Sequence, residues 1–123
     1  MTIIEAINRI DGLKPNIYSQ SEKVRWLSQL DGFVKNDIID THEGSDSVTF
    51  NGYDDETSID TELLIPSPYE DVYIHYLEMK IDYSNGETIK YNNSAMMYNN
   101  AYSAFEKWYN RTNMPKQVGF DYF

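Results

Sequence analysis

Cysteine is absent from the 123 residues, which excludes a disulfide frame, a thiolate metal site and a cysteine nucleophile. Long apolar runs are missing too. No stretch approaches the ~20 apolar residues of a membrane span. The opening MTIIEAINRIDG has neither the basic start nor the apolar run of a secretory signal. The expectation is a soluble protein that stays in the cytoplasm where it is made, with no membrane partner. Basic charge is scarce: ten Lys and Arg stand against twenty Asp and Glu, for a net charge of −10. A surface so acidic is ill suited to gripping nucleic acid phosphates. Histidine occurs only at His42 and His75, and neither belongs to a His-x-x-x-His or His-Glu-x-x-His zinc pattern. A glycine-rich Lys-Ser/Thr phosphate loop and a nucleophilic serine motif are also lacking. Asp54, Asp55 and Glu56 with Asp60 and Glu62 miss the spacing and the glycine of a calcium-binding EF-hand, and read as a charged turn. These absences leave no candidate catalytic residue, metal or cofactor, and the expectation is not an enzyme.

Tyrosine is what the chain has in excess, with eleven copies. Most lie between residues 68 and 111, where Leu77, Ile81, Ser84, Thr88, Tyr91, Ala95, Tyr98, Tyr102, Phe105 and Tyr109 follow one another in steps of three and four. That spacing predicts helix with a heptad seam. Asn85-Gly86 is a turn signal, and Ser84-Asn85-Gly86-Glu87 fits a capping box that opens a new helix. The seam keeps its phase through this break, so both an antiparallel hairpin and a kinked rod fit; two helices, about 68–84 and 87–111, are expected. Pro68 suits a helix start with Ser67 as its cap. Tyrosine suits interfaces because it is amphipathic and loses little side-chain entropy. Tyr91, Tyr98, Tyr102, Phe105 and Tyr109 are therefore expected to form an inter-subunit face, a Tyr-rich core with its hydroxyls at the rim being the other reading.

Earlier in the chain, Thr2-Ile3-Ile4-Glu5 is a capping box for a helix with Ile3, Ile7 and Ile10 on one face, stopped at Gly12. Ser19-Gln20-Ser21-Glu22 opens a second helix to about Ile39, carrying Lys23, Leu27, Leu30, Val34 and Ile38. Gly32 inside it costs about 1 kcal/mol relative to Ala and suggests a local bend or a close helix contact. Residues 40–65 read as a long acidic loop or a short β-hairpin, with Val48 to Phe50 as strand and Asn51-Gly52 as its turn. Leu63-Leu64-Ile65 is an edge strand or an extended segment laid on the helices. Between Lys35 and Lys80 there is no Lys or Arg, while the interval holds twelve carboxylates. Asp46, Asp54, Asp55, Glu56, Asp60 and Glu62 make the candidate acidic surface, either a solvated loop or a surface shaped by what must not bind or by a basic partner. The fold class is thus mainly α: one helical domain over 1–113 built on a long hairpin, then an extended aromatic tail over 114–123. Val118, Phe120, Tyr122 and Phe123 of that tail are candidates for contact with a partner.

Leu63-Leu64-Ile65-Pro66-Ser67-Pro68-Tyr69, Tyr76-Leu77-Glu78-Met79-Lys80-Ile81-Asp82-Tyr83, Gly86-Glu87, Tyr91-Asn92-Asn93-Ser94 and Tyr109-Asn110-Arg111-Thr112 resemble the small head–tail connector (adaptor) proteins of tailed phages and prophages of Gram-positive bacteria. The likeness covers roughly residues 40–113 and contains no catalytic signature. It implies a mainly helical subunit, made in the bacterial cytoplasm and located in the neck of the virion. It also implies a ring, commonly of twelve copies, beneath the portal protein, where it extends the DNA channel and offers a platform to the next neck or tail protein. The C-terminal segment would dock on the portal. Acidic residues suit a channel wall, since like charge keeps passing double-stranded DNA from sticking. Two other readings stand beside this one. A stopper or tail-completion protein is expected to be richer in β-structure. A small acidic regulator would bind a basic host protein as a monomer or dimer.

Overall fold

Thr2 accepts a hydrogen bond from the Glu5 amide while the Glu5 carboxylate accepts one from the Thr2 amide, closing the expected reciprocal cap. In the computed structural model, which describes residues 1–116, this cap opens α1 (Ile3–Leu13), with Ile3, Ala6, Ile7 and Ile10 buried. The helix runs one residue past Gly12. Ser19 caps α2 (Gln20–Phe33) by accepting from the Glu22 amide. The Glu22 carboxylate turns to Arg25 at 2.6 Å, so only half of the expected box forms. Regular α geometry ends at Phe33. The chain continues as a π turn (Val34–Ile38) and a 3-10 turn (Ile39–Thr41), not as the single helix to Ile39 that the periodicity suggests. Val34, Ile38 and Ile39 are still buried through these turns. Among the described residues no helix approaches closely at Gly32: the nearest atom to where a Cβ would stand is on the Phe50 ring of the loop, at an ordinary 3.9 Å.

Of the two alternatives for residues 40–65, the loop forms and the hairpin does not. Among the described residues there is no strand, only two isolated bridges, Thr2 with Glu62 and His42 with Pro115. Beyond the expected turn, backbone groups of the segment are bonded to other elements, the Tyr53 amide to the Ser28 hydroxyl among them. Ile59 and Thr61 carbonyls accept from the Ile4 and Ile3 amides, and Leu63 donates to the Met1 carbonyl. Leu63 and Ile65 are buried, so this run is an extended segment on the helices.

α3 (Asp71–Ser84) starts three residues after Pro68. Ser67 does not cap it; its hydroxyl donates to Glu70, and residues 66–73 turn through successive short-range backbone bonds. Gly86, at φ +73°, then closes α3. Its amide donates to the Tyr83 carbonyl, and the Glu87 amide donates to the Asp82 carbonyl. That pair of bonds is a Schellman motif. It occupies the residues that the sequence offers as a capping box, and Ser84 stays in the helix that is ending. α4 (Thr88–Thr112) therefore begins at Glu87 with no side-chain cap.

The two helices fold back on each other, which decides for the hairpin over the rod. Tyr76 meets Tyr98 at 5.1 Å and Tyr83 meets Tyr91 at 5.6 Å between ring centroids. α3 is central, packed by α1 and α2 and, most extensively, by α4. Of the C-terminal tail, residues 114–116 run beside residues 41–43 through Glu43 to Met114 and Lys116 to Thr41 backbone bonds. Val118, Phe120, Tyr122 and Phe123 lie outside the described residues.

Candidate functional site

The acidic candidates do not converge. Asp46 sits on a 3-10 turn (Ser45–Ser47), away from the rest. Asp54 turns inward on its own loop and accepts from the Glu56 and Thr57 amides. Asp55 accepts from Ser21 at 2.6 Å on the N-terminal turn of α2, and Glu62 meets the Met1 amine at 3.1 Å. Glu56 and Asp60 are exposed. The local hydrogen bonds hold the backbone of this loop and leave its carboxylates facing solvent. Among the described residues no three His, Asp or Glu side chains gather as metal ligands.

The aromatic seam is brought together, but inside one protomer. Phe105 is 1% exposed, so it belongs to the protomer's own core and is not an inter-subunit residue. Tyr98, Tyr102 and Tyr109 pack half-buried against the same core, and Tyr91 leans on Tyr83. Periodicity identifies a shared face without saying which body covers it; here α3 does. Burial pushes the phenols of Tyr76 and Tyr102 up to about 12, with the Asp37 and Glu106 carboxylates adding to the effect at Tyr102. Tyr98 is raised further, first by burial and then by its neighbours Tyr102, Tyr76 and Asp37. These groups ionise near 10 in an unfolded chain. Their contribution to stability is therefore complete below pH ~10 and declines as the pH rises from there through the folded values. An alkaline absorbance titration should show these phenolates appearing late and together with loss of helical ellipticity. Titration of all tyrosines near pH 10 with the fold intact would contradict this packing.

Three buried polar clusters escape the sequence pattern. Asp31 is fully buried on α2, and its Oδ1 accepts from the Tyr73 hydroxyl at 2.5 Å. Its Oδ2 accepts from the Tyr53 hydroxyl at 2.5 Å and from the Leu64 amide at 3.1 Å. Burial raises the Asp31 carboxyl, and the three donors pull the other way without cancelling it. The second cluster is Asp82, also fully buried, held by Lys14 at 2.5 Å and by the Ser94 hydroxyl. His42 makes the third. It is 3% exposed, with Nδ1 2.6 Å from the Ile38 carbonyl, Nε2 2.8 Å from Asn110, and its ring on the edge of Tyr109. Acids interrupting an apolar helical face, Asp31 beside Leu30 and Asp82 beside Ile81, were the available signal. Nothing marks His42.

Every buried side-chain nitrogen and oxygen in the described residues has a hydrogen-bond partner. The clusters are closed on themselves, and both ring nitrogens of His42 are engaged inside the protein. An apolar concavity of about 310 Å³ at the α3–α4 turn is lined by Tyr83, Thr88 and Tyr91, with the acidic residues Asp82 and Glu87 at its wall. No helix among the described residues is long and apolar enough to cross a membrane. The chain matches no family model, no curated protein and no solved structure.

Proposed function

We propose that this protein is a non-catalytic neck component of a tailed-phage virion: a connector subunit that rings the channel under the portal and carries the next neck or tail protein. The observation that carries the reading is α4. Of its twenty-five residues only Ser94 and Phe105 are buried, and Met96, Met97 and Ile89 are at least half exposed. A long helix so poorly covered in the protomer is a helix to be covered in an assembly. The residue pattern from Leu63 to Thr112 supports the same class, and a helical subunit fits a connector better than a stopper. The carboxylates of residues 40–62 face the DNA passage or a basic neighbour, and the tail from Val118 to Phe123 docks on the portal.

Electron microscopy of the protein mixed with its cognate portal tests this, using the full chain and a truncation after Pro115. The expected result is a ring coaxial with the portal, lost on truncation. A ring that survives truncation keeps the function and removes the tail's role. No association at low and moderate salt overturns the connector reading in favour of an acidic regulator.

A further inference from the structure

Charge is segregated on this molecule by the fold as well as by the sequence. The acidic loop lies over α1 and α2, tied down by the Ile4 amide, Ser21 and Ser28. α4 packs chiefly along α3 and makes no comparable contact with α1 or α2, the helices that hold that loop. Its outward face repeats every three or four residues as the exposed Ile89, Asn93, Met96, Asn100 and Lys107, with half-buried Ser103 between the last two and Arg111 one turn beyond. No carboxylate stands on that stripe. Within α4 the only acid is Glu106, against Lys90, Lys107 and Arg111. Lys90 pairs with Glu87 at 3.4 Å, whereas Lys107 and Arg111 are exposed and have no ion pair among the described residues. Asp54, Asp55, Glu56 and Asp60, on the loop, also lack a cation there.

We infer that the outer face of α4 is covered by the acidic 54–60 loop of a second copy of this chain, so that copies associate head to tail. A two-fold contact of either surface with itself would set like charges against each other. A heterologous contact pairs Lys107 and Arg111 with the carboxylates of the next copy, and repeating such a contact closes a ring or grows a filament. Amides and serine along the stripe supply uncharged donors and acceptors beside the ion pairs, and Met96 supplies an adaptable apolar centre. Screening over about 8 Å at physiological salt makes the contact sensitive to ionic strength. The inference deepens the connector reading and rests on it only for closure of the contact into a ring.

The missing cysteines make the test clean. Ser58→Cys and Ala104→Cys each place one thiol on an exposed position beside its half of the contact. Oxidation of the two variants mixed at high concentration and low salt should give a disulfide dimer between unlike chains, with neither variant dimerising alone above background. Adding Lys107→Glu and Arg111→Glu to the Ala104→Cys chain should cut the yield at least tenfold. Asp55→Lys and Glu56→Lys on the Ser58→Cys chain should then restore it. Absence of the mixed dimer, equal yields from single variants, or indifference to charge reversal overturns the inference. A portal-bound ring indifferent to these charges removes the contact and leaves the connector reading standing. Mixed dimers from a protein that never joins a portal do the reverse.

Discussion

Replacing Asp31 by alanine is expected to lower the unfolding free energy by about 3–5 kcal/mol, because it orphans three donors at once. The Tyr73 hydroxyl lies within the core, and an unsatisfied buried donor costs about 1–3 kcal/mol. Tyr53 and Leu64 are half-buried and reach water more easily, so their losses count less. Against a total of about 5–15 kcal/mol for a domain of this kind, the substitution approaches the limit of folding. The damage has a location. Asp31 is the post to which residues 50–65 are fastened, through Tyr53 before the acidic loop and Leu64 after it. Tyr73 extends the same tie, since its oxygen accepts from the Ile65 amide at 2.7 Å. Denaturant titration should give a lower midpoint with little change in slope, and hydrogen exchange should quicken first at Leu64 and Ile65. Tyr73→Phe alone should cost about 2 kcal/mol, and the double variant less than the sum, because the two groups share one bond. Strict additivity would mean that the cluster does not act as a unit.

Asp31 also shows where the sequence stops being legible. Elements set by neighbours along the chain are readable: the Thr2–Glu5 cap, the Ile3, Ile7, Ile10 face, and a long helix through Tyr98 and Phe105. Gly86 marks the turn between α3 and α4, although the same four residues suit a capping box and a Schellman stop equally well until packing decides. What holds residues 50–65 is set by partners 22, 33 and 42 positions from Asp31. A short apolar run such as Val48 to Phe50 looks like strand because nothing local says that its surroundings bind to helices. Similarly, the Tyr and Phe seam is visible as a face. Its assignment between subunits fails at Phe105 because only the fold brings α3 across it. The candidate acidic surface was readable as charge, and its attachment to α1 and α2, apart from the helix that α4 packs along, was not.

Exchanging Lys14 for methionine should destabilise the protein by about 3 kcal/mol, the second large effect expected here. Asp82 has no exposed surface, and its carboxylate is held only by Lys14 and Ser94. Taking away one partner of a buried pair leaves an uncompensated charge, which is costlier than the net worth of the pair. Methionine keeps most of the side-chain volume, so the loss reports charge and not a cavity. The pair joins parts that are 68 residues apart: Lys14 follows α1, and Asp82 stands one turn before the Schellman stop of α3. Ser94 brings α4 into the same knot. Failure of this contact should therefore loosen the α1–α2 loop and the α3–α4 turn together, including the Tyr18 to Asn85 hydrogen bond of 2.6 Å that spans them. The double variant Lys14→Met, Asp82→Leu supplies the decisive comparison. Since apolar groups often replace a buried ion pair at no loss, it should recover most of the stability. If the double variant is as unstable as Lys14→Met, the lysine acts through its packing or its 3.7 Å ion pair with Glu78 and not through Asp82.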